Sequence, residues 1–332
     1  MSAESAEPAE PVVVSVPALL DGVRLDRAVS LLTGVSRARA AQLVAGGLVR
    51  VGGARATGRS QPLAEGVVLE IELPPERPTG PRADPGVALQ VVHEDADVIV
   101  VDKPAGLVVH PGAGRRDGTM VSGLLARFPE LAELAASGVA DPERPGIVHR
   151  LDRGTSGLLA VARSERAYRS LTAQLAARTV ERRYEALVAG SVEEERGVVE
   201  APIGRSTRTP TRMAVSAEGR PARTAYRVLG RYREPLDATL LELALETGRT
   251  HQIRVHLAAI GHPVVGDDRY GTAGPGGRRA RVGGGLLAPG RLFLHAAALG
   301  FEHPATGEHV SWFSPLPADL LAVLGEAPPA PG

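Results

Sequence analysis

A proline-rich segment at residues 74–86 limits how this chain of 332 residues can fold. It holds five prolines in thirteen residues, and proline removes a backbone donor and restricts the residue before it. We therefore expect a semi-rigid linker between a small unit over residues 17–73 and a main domain over residues 87–325. The residues at either end, 1–14 and 326–332, lack periodicity and are expected to be disordered tails.

The small unit shows two short helical patterns followed by strand patterns. Apolar residues recur at helical spacing between Val23 and Leu32, and Gly34 ends this stripe. Ser36 suits the N-cap of a second helix, which Gly46 and its neighbour stop. The segment LVRVGGAR then predicts a hairpin, and GVVLEIEL predicts a closing strand.

Arginine is clustered although the formal net charge is zero. Residues 24–59 carry seven arginines against one acidic residue, and residues 203–233 carry eight against one. Clustered arginine is the footprint of phosphate binding, while a solvated basic face is the alternative. Arg37 and Arg39 fall in the first turn of the second helix, where a cation opposes the helix dipole. This placement indicates a surface that contacts an anion.

The main domain has many short apolar runs and few helical patterns. Strands are predicted at ALQVVHE, DVIVVDKP, GIVHR, GLLAVARS, RRYEALVAG, TAYRVLGRY, ATLLELALET and LFLHAAALGFE, and helices at TMVSGLLARF, SERAYRSLTAQLAAR and THQIRVHLAAI. Consecutive strands with short turns indicate an α+β domain on a mixed, mainly antiparallel sheet, and not a doubly wound one. Residues 272–290 form a Gly/Arg-rich loop without a core pattern.

Composition and missing motifs exclude several classes of protein. There is no cysteine, so disulfides and thiolate chemistry are excluded. No apolar run approaches the ~18 residues of a membrane span, and the acidic N-terminus is unlike a signal peptide, so a soluble, cytoplasmic protein is expected. The sequence lacks a Walker loop, a dinucleotide-binding glycine pattern and a nucleophile elbow, and no cofactor is predicted.

The segment HRLDRGTSG places one carboxylate, Asp152, between Arg150 and Arg153. An aspartate beside guanidinium groups is expected to stay ionised, which suits a nucleophile or an electrostatic stabiliser. Gly154 and Gly157 allow a tight turn that leaves the carboxylate facing a cleft. The alternative is a structural aspartate that bonds the backbone of its own turn.

A second constellation lies in TGRTHQIRVHLAAIGHPVVGDDRYG. Arg249 precedes a predicted helix, and Arg254, one turn inside it, can reach a carboxylate on a neighbouring loop. His251 and His256 are five residues apart and so lie on different helix faces, which disfavours a zinc site. No metal site is predicted. Tyr184, beside two arginines in ERRYEALV, is a candidate for stacking on a base, although a core tyrosine is the alternative.

Taken in order, five stretches resemble the RluA/RluD family of RNA pseudouridine synthases. They are DVIVVDKPAGLVVHPG, RPGIVHRLDRGTSGLLAVARS, RRYEALVAG, TGRTHQIRVHLAAIGHPVVGDDRYG and LFLHAAALGFEHPATGE. The segment RLDRAVSLLTGVSRARAAQLVAGGLVRVGG resembles an S4-type RNA-binding domain. The commonest form of the family differs from this chain at Arg153 and Gly154, which leaves Asp152 unchanged.

The resemblance implies an isomerase that converts uridines of structured RNA to pseudouridine without a cofactor. Large-subunit (23S) ribosomal RNA is the expected partner, with transfer RNA as an alternative, and a monomer is expected. The implied catalytic residues are Asp152, Tyr184 and Arg254. The expected substrate-binding residues are Arg150, Arg153, Arg249, His251, Arg37 and Arg39. Two other classes stay open, namely a catalytically silent RNA-binding assembly factor and, with less support, a metal-dependent hydrolase.

Overall fold

The computed structural model describes residues 11–74, 80–110, 117–234, 236–271 and 285–325. Contacts between residues in space divide the chain into two compact units, Met1–Pro78 and Thr79–Gly332. This division falls inside the proline-rich segment 74–86 that the sequence predicts as a linker. In the described ranges, no helix is long and apolar enough to cross a membrane.

The first unit consists of two helices and a small sheet. Its elements are β1 (Val12–Ser15), α1 (Leu25–Thr33), α2 (Arg37–Ala45), β2 (Val49–Val51), β3 (Ala54–Arg55) and β4 (Val68–Ile71). The strands lie in the order β1-β4-β2-β3, and each pair is antiparallel. Buried Leu25 and Leu43 of the helices form one core with Leu69 and Ile71 of β4.

Local signals in the first unit act as the sequence predicts. Helix α1 ends at Gly34, whose φ of 76° is left-handed. The Ser36 hydroxyl accepts a hydrogen bond from the backbone N–H of Arg39 at 3.2 Å and so caps α2. The predicted hairpin is confirmed as β2 and β3, and the predicted closing strand is confirmed as β4.

The expected disorder of residues 1–14 is wrong for Val12–Val14, which belong to β1. This strand pairs with β4 from Val12 opposite Ile71 to Ser15 opposite Val68. A run of valines has strand propensity, and pairing with β4 satisfies its backbone groups, whereas composition alone shows no partner. Residues 1–10 lie outside the described part of the chain.

The second unit is built on one large sheet. Its strands are β5 (Gln90–Glu94), β6 (Val98–Lys103), β7 (Ser156–Ala162), β8 (Glu181–Ala189), β9 (Arg196–Glu200), β10 (Ile203–Arg205), β11 (Met213–Val215), β12 (Arg223–Tyr232), β13 (Ala238–Leu245), β14 (Leu294–Glu302) and β15 (His309–Phe313). Its helices are α3 (Met120–Arg127), α4 (Leu131–Ala136), α5 (Glu165–Ala177), α6 (Gln252–Ala259) and α7 (Ala318–Leu324).

Nine of these strands form the sheet, in the order β5-β6-β7-β14-β8-β13-β12-β9, with β15 paired to β14. Strands β10 and β11 form a separate hairpin. Among the described strands, only β7 and β14 pair in parallel. The predicted α+β fold on a mixed, mainly antiparallel sheet is therefore confirmed.

The predicted strand GIVHR is wrong. Residues 146–150 make a single bridge, between Ile147 and Val161, and do not pair along β7. The backbone N–H of Ala160 in β7 donates instead to Nε2 of His149 at 3.0 Å. A side chain therefore takes the position of a strand partner, and the segment turns away toward Asp152.

Two other predicted segments are only partly described. Residues 80–86 of the expected linker belong to the second unit, where the N–H of Asp84 donates to the carbonyl of Ser122 at 2.8 Å. Of the Gly/Arg-rich loop at 272–290, residues 272–284 lie outside the described ranges, as does the expected tail at 326–332.

The parallel contact between β7 and β14 depends on Gly157. Its φ is 111°, and a Cβ at this position would overlap the carbonyl oxygen of Ala296 on β14. Both the backbone conformation and the close approach therefore require glycine. This contact places the beginning of β14 beside Ser156 and Gly157, which follow the Asp152 turn.

We expect Gly157→Ala to lower the free energy of unfolding of the second unit by about 3 kcal/mol or more, because steric overlap adds to backbone strain. The matched control is Gly307→Ala, with a φ of 74° and open space around it, which should cost only about 1 kcal/mol. Urea unfolding followed by fluorescence of Trp312, the single tryptophan of the chain, measures both. Equal losses would show that the overlap is relieved without cost.

Candidate active site

Asp152 lies in a tight turn that leads into β7. The N–H of Thr155 donates to the carbonyl of Asp152 at 3.1 Å and closes the turn. The side chain of Asp152 is 19% exposed, so its carboxylate is reachable from a cavity while most of the residue is covered. The predicted turn that presents a carboxylate is therefore present.

Two buried basic side chains hold this turn from behind. Nζ of Lys103, which is fully buried, donates to the carbonyl oxygens of Pro104, Leu107 and Arg153 at 2.9, 3.0 and 3.5 Å. Nη1 of Arg291 donates to the carbonyl of Gly154 at 3.0 Å. The backbone on both sides of Asp152 is thus fixed by hydrogen bonds from buried side chains, and the bond from Arg291 is charge-assisted.

Arg254 of α6 joins Asp152 to a second carboxylate, Asp267. Its Nη1 donates to Oδ2 of Asp152 at 2.9 Å, and its Nε and Nη2 donate to both oxygens of Asp267 at 2.7 and 3.0 Å. Burial raises the pKa of Asp267, but the hydrogen bonds and charge of Arg254 outweigh it and hold the pKa below its ordinary value. The Arg254 pKa is raised, because the two carboxylates outweigh desolvation.

His251 and Tyr270 border the other side of the Asp152 carboxylate. His251 precedes α6 and has a left-handed backbone with a φ of 56°. Its Nδ1 lies 2.8 Å from the hydroxyl of Tyr270, and its Nε2 lies 3.9 Å from Oδ1 of Asp152. The guanidinium of Arg254 lies over the Tyr270 ring at 5.0 Å.

Asp152 opens into a cavity of about 410 Å³, which lies within the second unit. Tyr184 of β8, Arg254 and His251 line it with Asp152, as do Arg150 and Arg249. Burial raises the pKa of Tyr184, the charge of Arg182 opposes this and that of Asp152 adds to it, so the ring remains a neutral phenol. A cavity of this volume suits a small ligand such as a nucleoside.

The expected substrate-binding arginines lie in different places. Arg150 is exposed on the cavity wall, and Nε of Arg249 donates to the carbonyl of Pro221 at 3.1 Å. Arg153 donates to the carbonyl of Gly106 at 3.1 Å and is not among the residues that line the cavity. Arg37 and Arg39 belong to the first unit, where Arg37 lies 3.7 Å from the Asp26 carboxylate.

The expectation that the two flanking arginines lie against the Asp152 carboxylate is wrong. In the described part of the chain, Asp152 forms an ion pair with Arg254 and with neither Arg150 nor Arg153. Residues adjacent in a turn point in different directions, so adjacency in the sequence does not give contact. The predicted contact between Arg254 and a carboxylate of a neighbouring loop is present.

Sequence reasoning missed three residues of the site. Asp267 and Tyr270 stand in the segment GDDRYG, where the sequence shows only an acid three residues before a tyrosine and does not show that this acid is buried. Arg182 is buried beside Tyr184, and its Nε has no hydrogen-bond partner among the described residues. Its two carbonyl contacts, with Leu245 and Glu246 at 3.3 Å, depend on strand pairing that the sequence does not show.

Known proteins resemble this chain over most of its length. Residues 97–259 match the family described as RNA pseudouridylate synthase, and residues 23–69 match the S4 domain. An uncharacterised RNA pseudouridine synthase of Chloroflexus aurantiacus is 48% identical over 95% of this chain and 93% of its own length. The ribosomal large subunit pseudouridine synthase D of Nitrosomonas europaea is 43% identical over 97% of this chain and 90% of its own.

This chain belongs to the RNA pseudouridine synthase family. The solved structure of human RNA pseudouridylate synthase domain containing 1 agrees, with a TM-score of 0.53 and 32% identity over 70% of this chain and 84% of that one. The resemblance to RluA/RluD enzymes with an S4 domain is thereby confirmed, and so is the expected class of enzyme, an isomerase that acts on RNA.

Loss of the Asp267 charge should destabilise this synthase. We expect Asp267→Asn to lower the free energy of unfolding by about 3 kcal/mol, because buried Arg254 loses its bidentate partner. Urea unfolding at pH 7, followed by Trp312 fluorescence, measures the loss. The control is Glu130→Gln, which removes a half-exposed pair with Arg163 and should cost about 1 kcal/mol or less. A cost for Asp267→Asn within the control's range would contradict this view of the pair.

Lys103 should make stability depend on pH. Burial, supported by the charge of Arg291, lowers the pKa of Lys103 from 10.5 to about 7. Between these values the unfolded chain binds the proton and the folded chain does not, so stability rises with pH from 7 to about 10. Lys103→Met should remove up to about 1.4 kcal/mol of this rise per pH unit. Urea unfolding at pH 7, 8 and 9 measures it, and parallel curves for the two proteins would contradict it.

Proposed function

We propose that this synthase converts uridines of large-subunit (23S) ribosomal RNA to pseudouridine, with Asp152 as the catalytic carboxylate. The observation that carries the proposal is the pairing of Asp152 with Arg254 on the wall of a nucleoside-sized cavity. Large-subunit RNA is favoured because the relative from Nitrosomonas europaea is named for the ribosomal large subunit. This relative is 43% identical over 97% of this chain.

The reaction moves the uracil from a bond through N1 to a bond through C5 on the same ribose. The bond between C1′ and N1 breaks, the base turns, and a bond from C1′ to C5 forms as C5 loses its hydrogen as a proton and N1 gains a proton. No electrons are gained or lost overall. The reaction therefore needs a group that stabilises or attacks the separated partners and a cavity in which the base can turn.

Asp152 suits each route by which the two partners can be separated. Arg254 uses Nη1 for Oδ2 of Asp152, and its other donors are held by Asp267. The carboxylate is therefore fixed in direction. Its Oδ1 has no direct hydrogen bond among the described residues and lies 3.9 Å from Nε2 of His251. An oriented, ionised carboxylate serves either as a nucleophile or as an electrostatic stabiliser.

The other cavity residues suit a flipped nucleotide. Tyr184 offers an aromatic ring on which a base stacks. Base flipping costs a few kcal/mol, and the exposed guanidinium of Arg150 on the cavity wall can fill the place that the nucleotide leaves. We assign Arg249 and His251 to the bound nucleotide, and Arg153, Arg37 and Arg39 to the RNA backbone.

Tritium release from RNA labelled at C5 of uridine tests the proposal, because bond formation at C5 expels its hydrogen. We expect wild type to release tritium from large-subunit RNA and Asp152→Asn to lose at least about a thousandfold in rate. Asp237→Asn, outside the cavity lining, is the matched control and should retain the wild-type rate.

Each other outcome contradicts a defined part of the proposal. Release from transfer RNA but not from ribosomal RNA would overturn the target. Full activity of Asp152→Asn would overturn the role of the carboxylate. Binding of ribosomal RNA without any release by wild type would favour the alternative, a silent assembly factor.

A further inference from the structure

The backbone of His251 is held in an unfavourable conformation beside Asp152. Its φ of 56° is left-handed, and of the described residues only Arg178 shares this with it outside glycine. Such strain persists only where surrounding contacts enforce it, and it concentrates at functional sites. This backbone conformation places the imidazole ring of His251 between Tyr270 and Asp152.

Tyr270 contacts the Nδ1 side of the His251 imidazole. The hydroxyl oxygen of Tyr270 accepts the backbone N–H of Met213 at 3.2 Å. The same hydroxyl lies 2.8 Å from Nδ1 of His251, so it can donate its proton to that nitrogen. An imidazole nitrogen that accepts carries no proton in the neutral ring, and in this arrangement the ring proton of His251 resides on Nε2.

The position of Nε2 supports the same assignment. It lies 3.9 Å from Oδ1 of Asp152, where an N–H is attracted by the carboxylate and a lone pair would be repelled. This distance is too long for a hydrogen bond, so the Nε2–H has no direct partner in Asp152. The donor is therefore available to a ligand that enters beside the carboxylate.

The surroundings keep His251 neutral. Burial lowers its pKa, the charge of Asp152 opposes this, Arg254 and Arg269 add to the lowering, and Asp267 opposes it. The N-terminus of α6 also disfavours a cation at this position. His251 is thus a hydrogen-bond donor that does not release its proton.

We infer that His251 donates its Nε2–H to a carbonyl oxygen of the target uracil, and that Tyr270 is the positioning residue that fixes this donor. The inference rests on the proposed function, in which Asp152 acts at the bond between ribose and base. A donor 3.9 Å from Asp152 Oδ1 is within reach of the base that this bond holds.

The donor suits the charge that the reaction develops. As the bond from C1′ to N1 breaks, its electron pair passes to the uracil and spreads over N1 and the carbonyl oxygens. A donor fixed in advance stabilises this charge without reorganisation. The imidazole keeps its proton throughout, and the C5 hydrogen leaves in the later step, so no further proton acceptor or donor is required at His251.

The tautomer is measured first, in the free wild-type protein. Long-range ¹H–¹⁵N spectra of the imidazoles at pH 7, with His251→Gln to assign the signals, should show His251 with a protonated Nε2 and a bare Nδ1. In Tyr270→Phe, which removes the hydroxyl, a fraction protonated on Nδ1 should appear. A wild-type ring protonated on Nδ1, or on both nitrogens, would overturn the inference.

The catalytic role is measured by single-turnover tritium release together with RNA affinity. We expect His251→Leu to lower the rate about a hundredfold, with the RNA dissociation constant changed less than about twofold, because the charge develops only in the transition state. His251→Gln, which keeps a donor, should recover part of the rate, and Tyr270→Phe should lie between wild type and His251→Leu. The control is His309→Leu on exposed β15, with the wild-type rate expected.

The pH profile separates a neutral donor from an acid. The groups that face His251 are Asp152 in its turn, Arg254 in α6, and Asp267, Arg269 and Tyr270 beyond it. Because burial, together with the charges of Arg254 and Arg269, outweighs the two carboxylates and lowers the pKa of His251, the wild-type rate should stay constant from pH 8 down to about 6.5, the ordinary histidine pKa. A rate that rises tenfold per unit of acidification would overturn the neutral donor.

The two proposals fail in different ways. A wild type that releases no tritium from any RNA overturns both the proposed function and this role. A wild type that releases tritium while His251→Leu retains its rate overturns the role of His251 alone. A loss of RNA affinity in His251→Leu that leaves the rate at saturating RNA unchanged would also overturn it, since it indicates uniform binding.

Discussion

The buried carboxylate of Asp267 is the contact on which the site depends. It fixes Arg254 by two hydrogen bonds and accepts the backbone N–H groups of Arg269 and Tyr270, both at 2.9 Å. Arg254 in turn orients Asp152, and Tyr270 orients His251. One acid that never meets the cavity thus sets the direction of both neighbours of the Asp152 carboxylate. The polar side chains that lie close together here are therefore paired with one another.

The buried basic side chains behind Asp152 are a second feature of the site. Lys103 and Arg291 are buried, yet their contacts with the turn are mainly to backbone carbonyls. A carbonyl acceptor satisfies a buried donor without adding a full charge to the cavity wall, and Asp319, the carboxylate that pairs with Arg291, is not among the residues that line the cavity. Asp152 therefore remains the carboxylate that a ligand meets there, with Arg254 as its partner. The chain separates groups that build the turn from groups that face the cavity.

The sequence predicts local structure well and side-chain direction poorly. Periodicity and capping residues locate α1, α2 and most strands, because these signals act over a few residues. The segment GIVHR misleads, because a histidine side chain replaces a strand partner at Ala160. Short elements such as β10, β11 and α4 have too few residues for a period to show. The sequence predicts that Arg254 reaches a carboxylate on a neighbouring loop, and it misses Asp267 because the partner of this residue is fixed by tertiary contact alone.

The parallel contact of β7 with β14 also bears on how the enzyme is made. Ser156, which follows the Asp152 turn, lies 3.0 Å from His295, a residue 139 positions later in the chain. During synthesis the N-terminal part emerges first, and the support behind the turn is absent until β14 has left the ribosome. The chain can therefore begin to fold long before its site is assembled. An enzyme of this design has a complete site only after β14 has been synthesised.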